Sequence, residues 1–85
     1  MSTSKVRRDL NPENVRIGAT LRAFREARGL ATGQAANALD ISYAYLSNIE
    51  AGRKRLTAVM LPRFANLYRV EQAAIVRPDL FTAAA

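Results

Sequence analysis

The chain has 85 residues, no Cys and no His, and 13 Lys and Arg against 7 Asp and Glu, for a formal charge of +6. That composition excludes disulfides, thiolate and imidazole metal sites and His-mediated proton transfer, and it fits one small domain with a modest core. The positive balance attracts polyanions without choosing among DNA, RNA and an anionic membrane. Hydrophobic residues make up 49% of the chain, many of them Ala, so a bundle of short helices is the economical fold. No apolar run approaches the roughly 20 residues needed to span a bilayer. The opening MSTSKVRRDLNPEN has charge but no apolar h-region, so no signal peptide is expected, and the expected location is cytoplasmic. No cofactor, metal or small-molecule substrate is implied.

In chain order, residues 1–10 read as a flexible basic arm carrying Lys5, Arg7 and Arg8. Residues 11–81 read as the domain and 82–85 as a frayed tail. Asn11-Pro12-Glu13 is a helix start: Asn caps, Pro suits the first turn, and Glu suits the positive end of the dipole. Val15, Ile17, Leu21 and Phe24 follow at near-helical spacing, and Gly29 stops the segment. The second segment opens at Ala31 or Thr32 and turns Ala35, Ala36 and Leu39 inward. Asp40 tolerates the left-handed turn that ends it. Ser42 caps the third segment. Tyr45 or Leu46, with Ile49, faces the core, and Ala51-Gly52 closes the helix before the basic loop Arg53-Lys54-Arg55. Thr57 caps a fourth segment in which Pro62 is expected to leave a local irregularity. Glu71–Val76 is a short last helix, ended by Arg77-Pro78. Leu80 and Phe81 are expected to dock as an apolar clasp. The fold class is all-α: a compact five-helix bundle.

Two short helices between Thr32 and Ile49, joined at Asp40-Ile41-Ser42, have helix-turn-helix spacing. In such a unit the second helix, about residues 42–51, offers its N-terminal residues to base edges in the major groove. The exposed positions are Tyr43, Ala44, Ser47 and Asn48. Asn48 is the best base reader, because an amide can pair both edges of adenine. Tyr43 fits a base contact and a phosphate contact equally, and Ala44 can meet only a methyl. Tyr45 fits the core or the rim better than a base. Ser42 and Thr32 sit at helix starts, where backbone N–H groups face anions. Arg53, Lys54 and Arg55 follow the reading helix directly and are expected on phosphates. Lys5, Arg7 and Arg8 fit a groove or phosphate arm, and fit equally a basic tail with no fixed role. Arg25 and Glu50 point toward one junction and are expected to pair bidentately as a structural tether.

IGATLRAFREARGL, AANALDISYAYLSNIEAGRKR and LPRFANLYRV together resemble the Cro/C1-type, or XRE, helix-turn-helix family from Ile17 to Val70. The residues that carry the likeness are Gly18, Leu21, Arg25, Gly29, Leu30, Ala36, Leu46, Ile49, Glu50 and Gly52. The resemblance implies a lambda-repressor-like five-helix domain. It maps the family's Arg–Glu pair onto Arg25 and Glu50, its phosphate-gripping position onto Thr32, and its main base readers onto Tyr43, Ala44 and Asn48. The chain departs at Ala31, where the family has a Ser/Thr cap, at Thr32, where it has Gln, and at Asp40, where it has Gly. RPDLF at Arg77–Phe81 resembles the tails of short prophage Cro-like regulators.

The implied function is a sequence-specific DNA-binding transcriptional regulator of the phage or prophage Cro-like repressor kind, with double-stranded DNA as partner. A homodimer is expected at least on DNA, its surface drawn from Tyr68, Val70, Leu80 and Phe81. The alternative is an antitoxin that binds a toxin protein and regulates its own operon. An enzyme is disfavoured by the missing His, Cys and paired carboxylates. Scattered cations on the helix faces argue against membrane binding.

Overall fold

Asn11 opens the first helix with its side chain: Oδ1 accepts the backbone N–H groups of Glu13 at 2.8 Å and Asn14 at 3.4 Å. Pro12 stands at the first helical position, where its missing N–H is no loss. The computed structural model describes residues 10–77. The arm residues Lys5, Arg7 and Arg8 and the tail residues Leu80 and Phe81 lie outside the described residues, as does the rest of 82–85. All regular structure among the described residues is helical: α1 Pro12–Ala27, α2 Thr32–Leu39, α3 Tyr43–Glu50, α4 Met60–Tyr68 and α5 Gln72–Val76.

Four of these helices leave by one route. Gly29, Asp40, Gly52 and Arg69 follow α1 to α4 with φ of 70, 58, 84 and 59°. The next residue then bonds back into the helix: Leu30 N–H to Arg25 O at 3.1 Å, Ile41 to Ala36 at 3.0 Å, Arg53 to Asn48 at 2.9 Å, and Val70 to Ala65 at 3.0 Å. This Schellman arrangement satisfies carbonyls that the helix end strands. Gly52 is needed twice over. Its φ is left-handed, and a Cβ there would lie 2.6 Å from Val15 Cγ2 and 2.8 Å from Val15 Cα. Val15 is therefore an exposed rim residue packed on that turn, and not part of the inner row its spacing suggests.

Pro62 introduces no irregularity. Thr57 Oγ1 accepts from Met60 N–H at 3.2 Å and Thr57 O from Leu61 N–H at 3.0 Å. Regular helix then begins at Met60, so Pro62 falls in the first turn, where no backbone donor is required. The expected helix with an interruption is a capped turn followed by an uninterrupted helix.

Leu21, Leu46, Ile49, Phe64, Tyr68 and Ile75 are the largest fully buried side chains. α1 packs chiefly on α3 and also meets α4 and α5; α2 packs on α3 and α4; α4 meets α5. Ala35 and Ala36, both buried, let α2 lie close to its neighbours. Tyr68 is 0% exposed, its ring 5.9 Å from that of Phe64. It belongs to the core and cannot contribute to a dimer surface; its burial is a tertiary fact that helical spacing does not give. Val70 is half-buried.

The Tyr68 hydroxyl is buried with no hydrogen-bond partner among the described residues. Burial, then the nearby Glu50 charge, pushes its pKa up from 10.0 to about 12, with Arg25 opposing. The raised value belongs to the folded state. Between pH 10 and 12 the unfolded chain loses a proton that the folded chain keeps, so stability falls as pH rises through that window. The loss is on the order of 2–3 kcal/mol by pH 12. Chemical denaturation at pH 7 and at pH 11–12 checks this: Tyr68→Phe is expected to remove this share of the alkaline loss. An unchanged alkaline slope in the variant assigns it to other groups.

Candidate nucleic-acid interface

Ser42 turns the chain into α3. Its Oγ accepts Tyr45 N–H at 3.0 Å, leaving its hydroxyl proton free to donate outward. Leu46 and Ile49 bury one side of α3, and Tyr45 leans half-buried against the core. The opposite side is left to solvent. Tyr43 is 62% exposed and Ala44 is exposed, while Ser47 and Asn48 are half-buried. Tyr43 stands over the start of α2, its Cδ2 4.0 Å from where a Cβ on Gly33 would be. Lys54 and Arg55 are exposed just beyond the helix end, with Arg53 beside them.

α3 is held at its angle from behind. Arg25 Nε donates to Glu50 Oε2 at 2.8 Å and Nη2 to Oε1 at 3.1 Å, with both side chains less than a tenth exposed. Arg25 Nη1 also donates to Leu30 O at 2.8 Å, so the tether reaches the loop before α2. The hydrogen bond to Glu50 raises the Arg25 pKa against the cost of burial, keeping the guanidinium charged. Gly18 allows the contact: a Cβ on it would overlap the carbonyl oxygens of Ile49 and Glu50. α1 and α3 thus touch backbone to backbone.

Thr32 and Ser47 share an open cleft of about 220 Å³ with Arg22, Arg25, Glu50 and Ala51. This puts the expected phosphate position Thr32 next to the expected reader Ser47, at the junction of α1, α2 and α3. Ala31 offers no capping side chain, but Gln34 Oε1 accepts its N–H at 2.8 Å. Half of a capping box therefore remains where the family cap is missing.

Much of the basic charge is used inside the fold, which composition alone does not reveal. Arg63 Nη2 donates to Leu39 O at 2.6 Å, Arg28 Nε to Tyr68 O at 2.8 Å, and Arg16 Nη2 to Val76 O at 2.9 Å. Each guanidinium closes the C-terminal end of another helix, where carbonyls lack partners and the dipole is negative. The partners lie 24, 40 and 60 residues apart in sequence, so no local pattern could have marked them. Arg22 meets Glu26 at 3.1 Å on the surface, a pair of small energetic weight. No group of His, Cys, Asp and Glu among the described residues could hold a metal, and no helix among them is long and apolar enough to cross a membrane.

Solved structures share this arrangement. The clp gene regulator ClgR from Corynebacterium glutamicum aligns with a TM-score of 0.75 and 27% identity, over 88% of this chain and 80% of its own. A second structure of ClgR gives 0.71 and 29%, over 76% and 84%. The restriction-modification controller protein C.AhdI from Aeromonas hydrophila gives 0.72 over 76% and 98%, and at 23% identity its likeness speaks to the fold alone. No curated protein matches the chain. The family described as "Helix-turn-helix domain" matches residues 16–77. With α2 and α3 forming the helix pair, and Arg25, Glu50, Gly18 and Gly52 at the positions that hold it, the chain belongs to the helix-turn-helix domain family, consistent with its Cro/C1 type.

Proposed function

We propose that the chain is a small Cro-like repressor that recognises an operator by laying α3 in the major groove. It would act in the bacterial cytoplasm or nucleoid, as a regulator of phage or prophage origin. The observation that carries this reading is the exposed face of α3. Tyr43 and Ala44 are exposed with Asn48 half-buried beside them, the opposite face is locked to α1, and Lys54 and Arg55 are exposed at the helix end. A reading helix must be rigid relative to its own fold, because base contacts need fixed register. In this reading Tyr43, Ala44, Ser47 and Asn48 face bases, while Thr32, Ser42, Lys54 and Arg55 lie along the backbone. Two copies on a two-fold operator supply the specificity that one such unit lacks.

Selection from random duplexes at moderate salt tests it. A palindromic motif is expected, with a half-site spacing of about one helical turn or a multiple of it. Asn48→Ala changes the base preference at one position per half-site. Lys54→Ala weakens all duplexes alike and lowers the salt slope by about 0.9. Failure to enrich any motif refutes sequence-specific regulation.

A further inference from the structure

The Schellman arrangement brings the side chain of the residue after the turn onto that of the residue whose carbonyl it takes, and the contact is commonly apolar. At the ends of α1, α2 and α4 the incoming residue is Leu30, Ile41 or Val70, each half-buried. At the end of α3 it is Arg53, and the residue it meets is Asn48. The backbone N–H groups of Arg53 and Lys54 both donate to Asn48 O, at 2.9 and 3.2 Å. Arg53 Nη1 donates to Asn48 Oδ1 at 3.3 Å. A polar side chain therefore enters where the other three helices put an apolar one, and it pairs with a polar side chain on the solvent side of the reading helix.

The chemistry of the pair fixes its orientation. A guanidinium has donors and no acceptor, so the amide atom that faces it is the oxygen. Asn48 is left with its NH2 pointing away from Arg53. An unrestrained Asn offers one donor and one acceptor and matches adenine. With Oδ1 engaged, this pair offers N–H donors from both residues. Guanine presents two acceptors in the major groove, O6 and N7. Resting on the DNA-reading function proposed above, we infer that Asn48 and Arg53 act as one donor pair that reads guanine. Arg53 is then a specificity residue that positions Asn48, and not an anchor on phosphate.

The test uses the full chain in two arms. In the first, duplexes are selected by the wild type, Asn48→Ala and Arg53→Ala at one moderate salt concentration. The wild type is expected to choose guanine at the position whose preference Asn48→Ala abolishes. Arg53→Ala is expected to lower guanine-over-adenine discrimination there by about tenfold and to leave the remaining positions as they were. Equal weakening on every duplex with an unchanged motif makes Arg53 a phosphate contact and overturns the inference; adenine selected by the wild type at that position does the same. In the second arm, the Asn48 side-chain amide protons are followed by NMR in the free protein. Their shifts move in Arg53→Ala if the pair exists, and stay in place if it does not. The arms separate the two failures. If no motif is selected while the amide shifts move, the DNA-reading function is wrong and takes this inference with it. If a motif is selected but the Arg53 effect is uniform, only this inference falls. Arg53 is exposed, so its replacement leaves the fold intact.

Discussion

Glu50→Ala lowers the unfolding free energy by about 3–5 kcal/mol, because it strands a buried guanidinium. Arg25 has two bonds to that carboxylate and one to Leu30 O, and its side chain is 9% exposed, so water cannot replace what is lost. Stabilities of small domains are of the same order, so much of the variant is expected to be unfolded at 37 °C. The effect belongs to the stranded charge more than to the missing contact. Replacing both partners by apolar residues, Arg25→Met with Glu50→Leu, is therefore expected to cost less than either single change. Denaturant titration of the wild type, Arg25→Met, Glu50→Leu and the double variant supplies the cycle, with Glu50→Ala measured beside them. A Glu50→Ala loss under about 0.5 kcal/mol would place the pair among ordinary surface contacts. DNA affinity should fall with stability, since the same pair fixes α3 on α1.

Gly18→Ala is the second large effect, and its sign runs against helix propensity. Ala is better than Gly in a helix interior by about 1 kcal/mol. At Gly18 the added methyl overlaps the backbone carbonyls of Ile49 and Glu50, which no rotamer change can move aside. α1 and α3 must part, loosening Leu21, Leu46 and Ile49 together, at a net cost of about 2–3 kcal/mol. Gly33→Ala is the matched control. The nearest atom there is a flexible ring carbon of Tyr43 at 4.0 Å, so propensity is expected to win and the variant to gain up to about 1 kcal/mol. Thermal or denaturant unfolding of both variants decides the matter. Stabilisation by both changes would show that propensity, and not the α1–α3 contact, governs Gly18.

The helices were legible in the residues because their ends carry local chemistry. Asn11 with Pro12, Ser42, and the Gly29 and Gly52 exits each act within a few positions along the chain. The helix-turn-helix spacing was legible for the same reason, and so was the inward set Leu46 and Ile49. Pro62 misled because the pattern cannot say which residue begins the first turn; the Thr57 contacts decide that. Tyr68 misled because an aromatic hydroxyl at the end of a helix suits a surface and a core equally, until the packing of the helices buries it.

The sequence by itself determined a basic all-α chain of helix-turn-helix kind, the place of its second helix at about residues 42–51, and the exclusion of Cys and His chemistry. Those are matters of composition and of bonds between near neighbours. Tertiary structure alone decided where the arginines act. Arg16, Arg28 and Arg63 close helix ends far away in sequence, whereas the Arg25–Glu50 pair was already expected from the residues. It also decided that Arg53 reaches Asn48. A guanidinium on a long stem can satisfy any carbonyl or carboxylate that folding brings near, and only the packing of the helices chooses which.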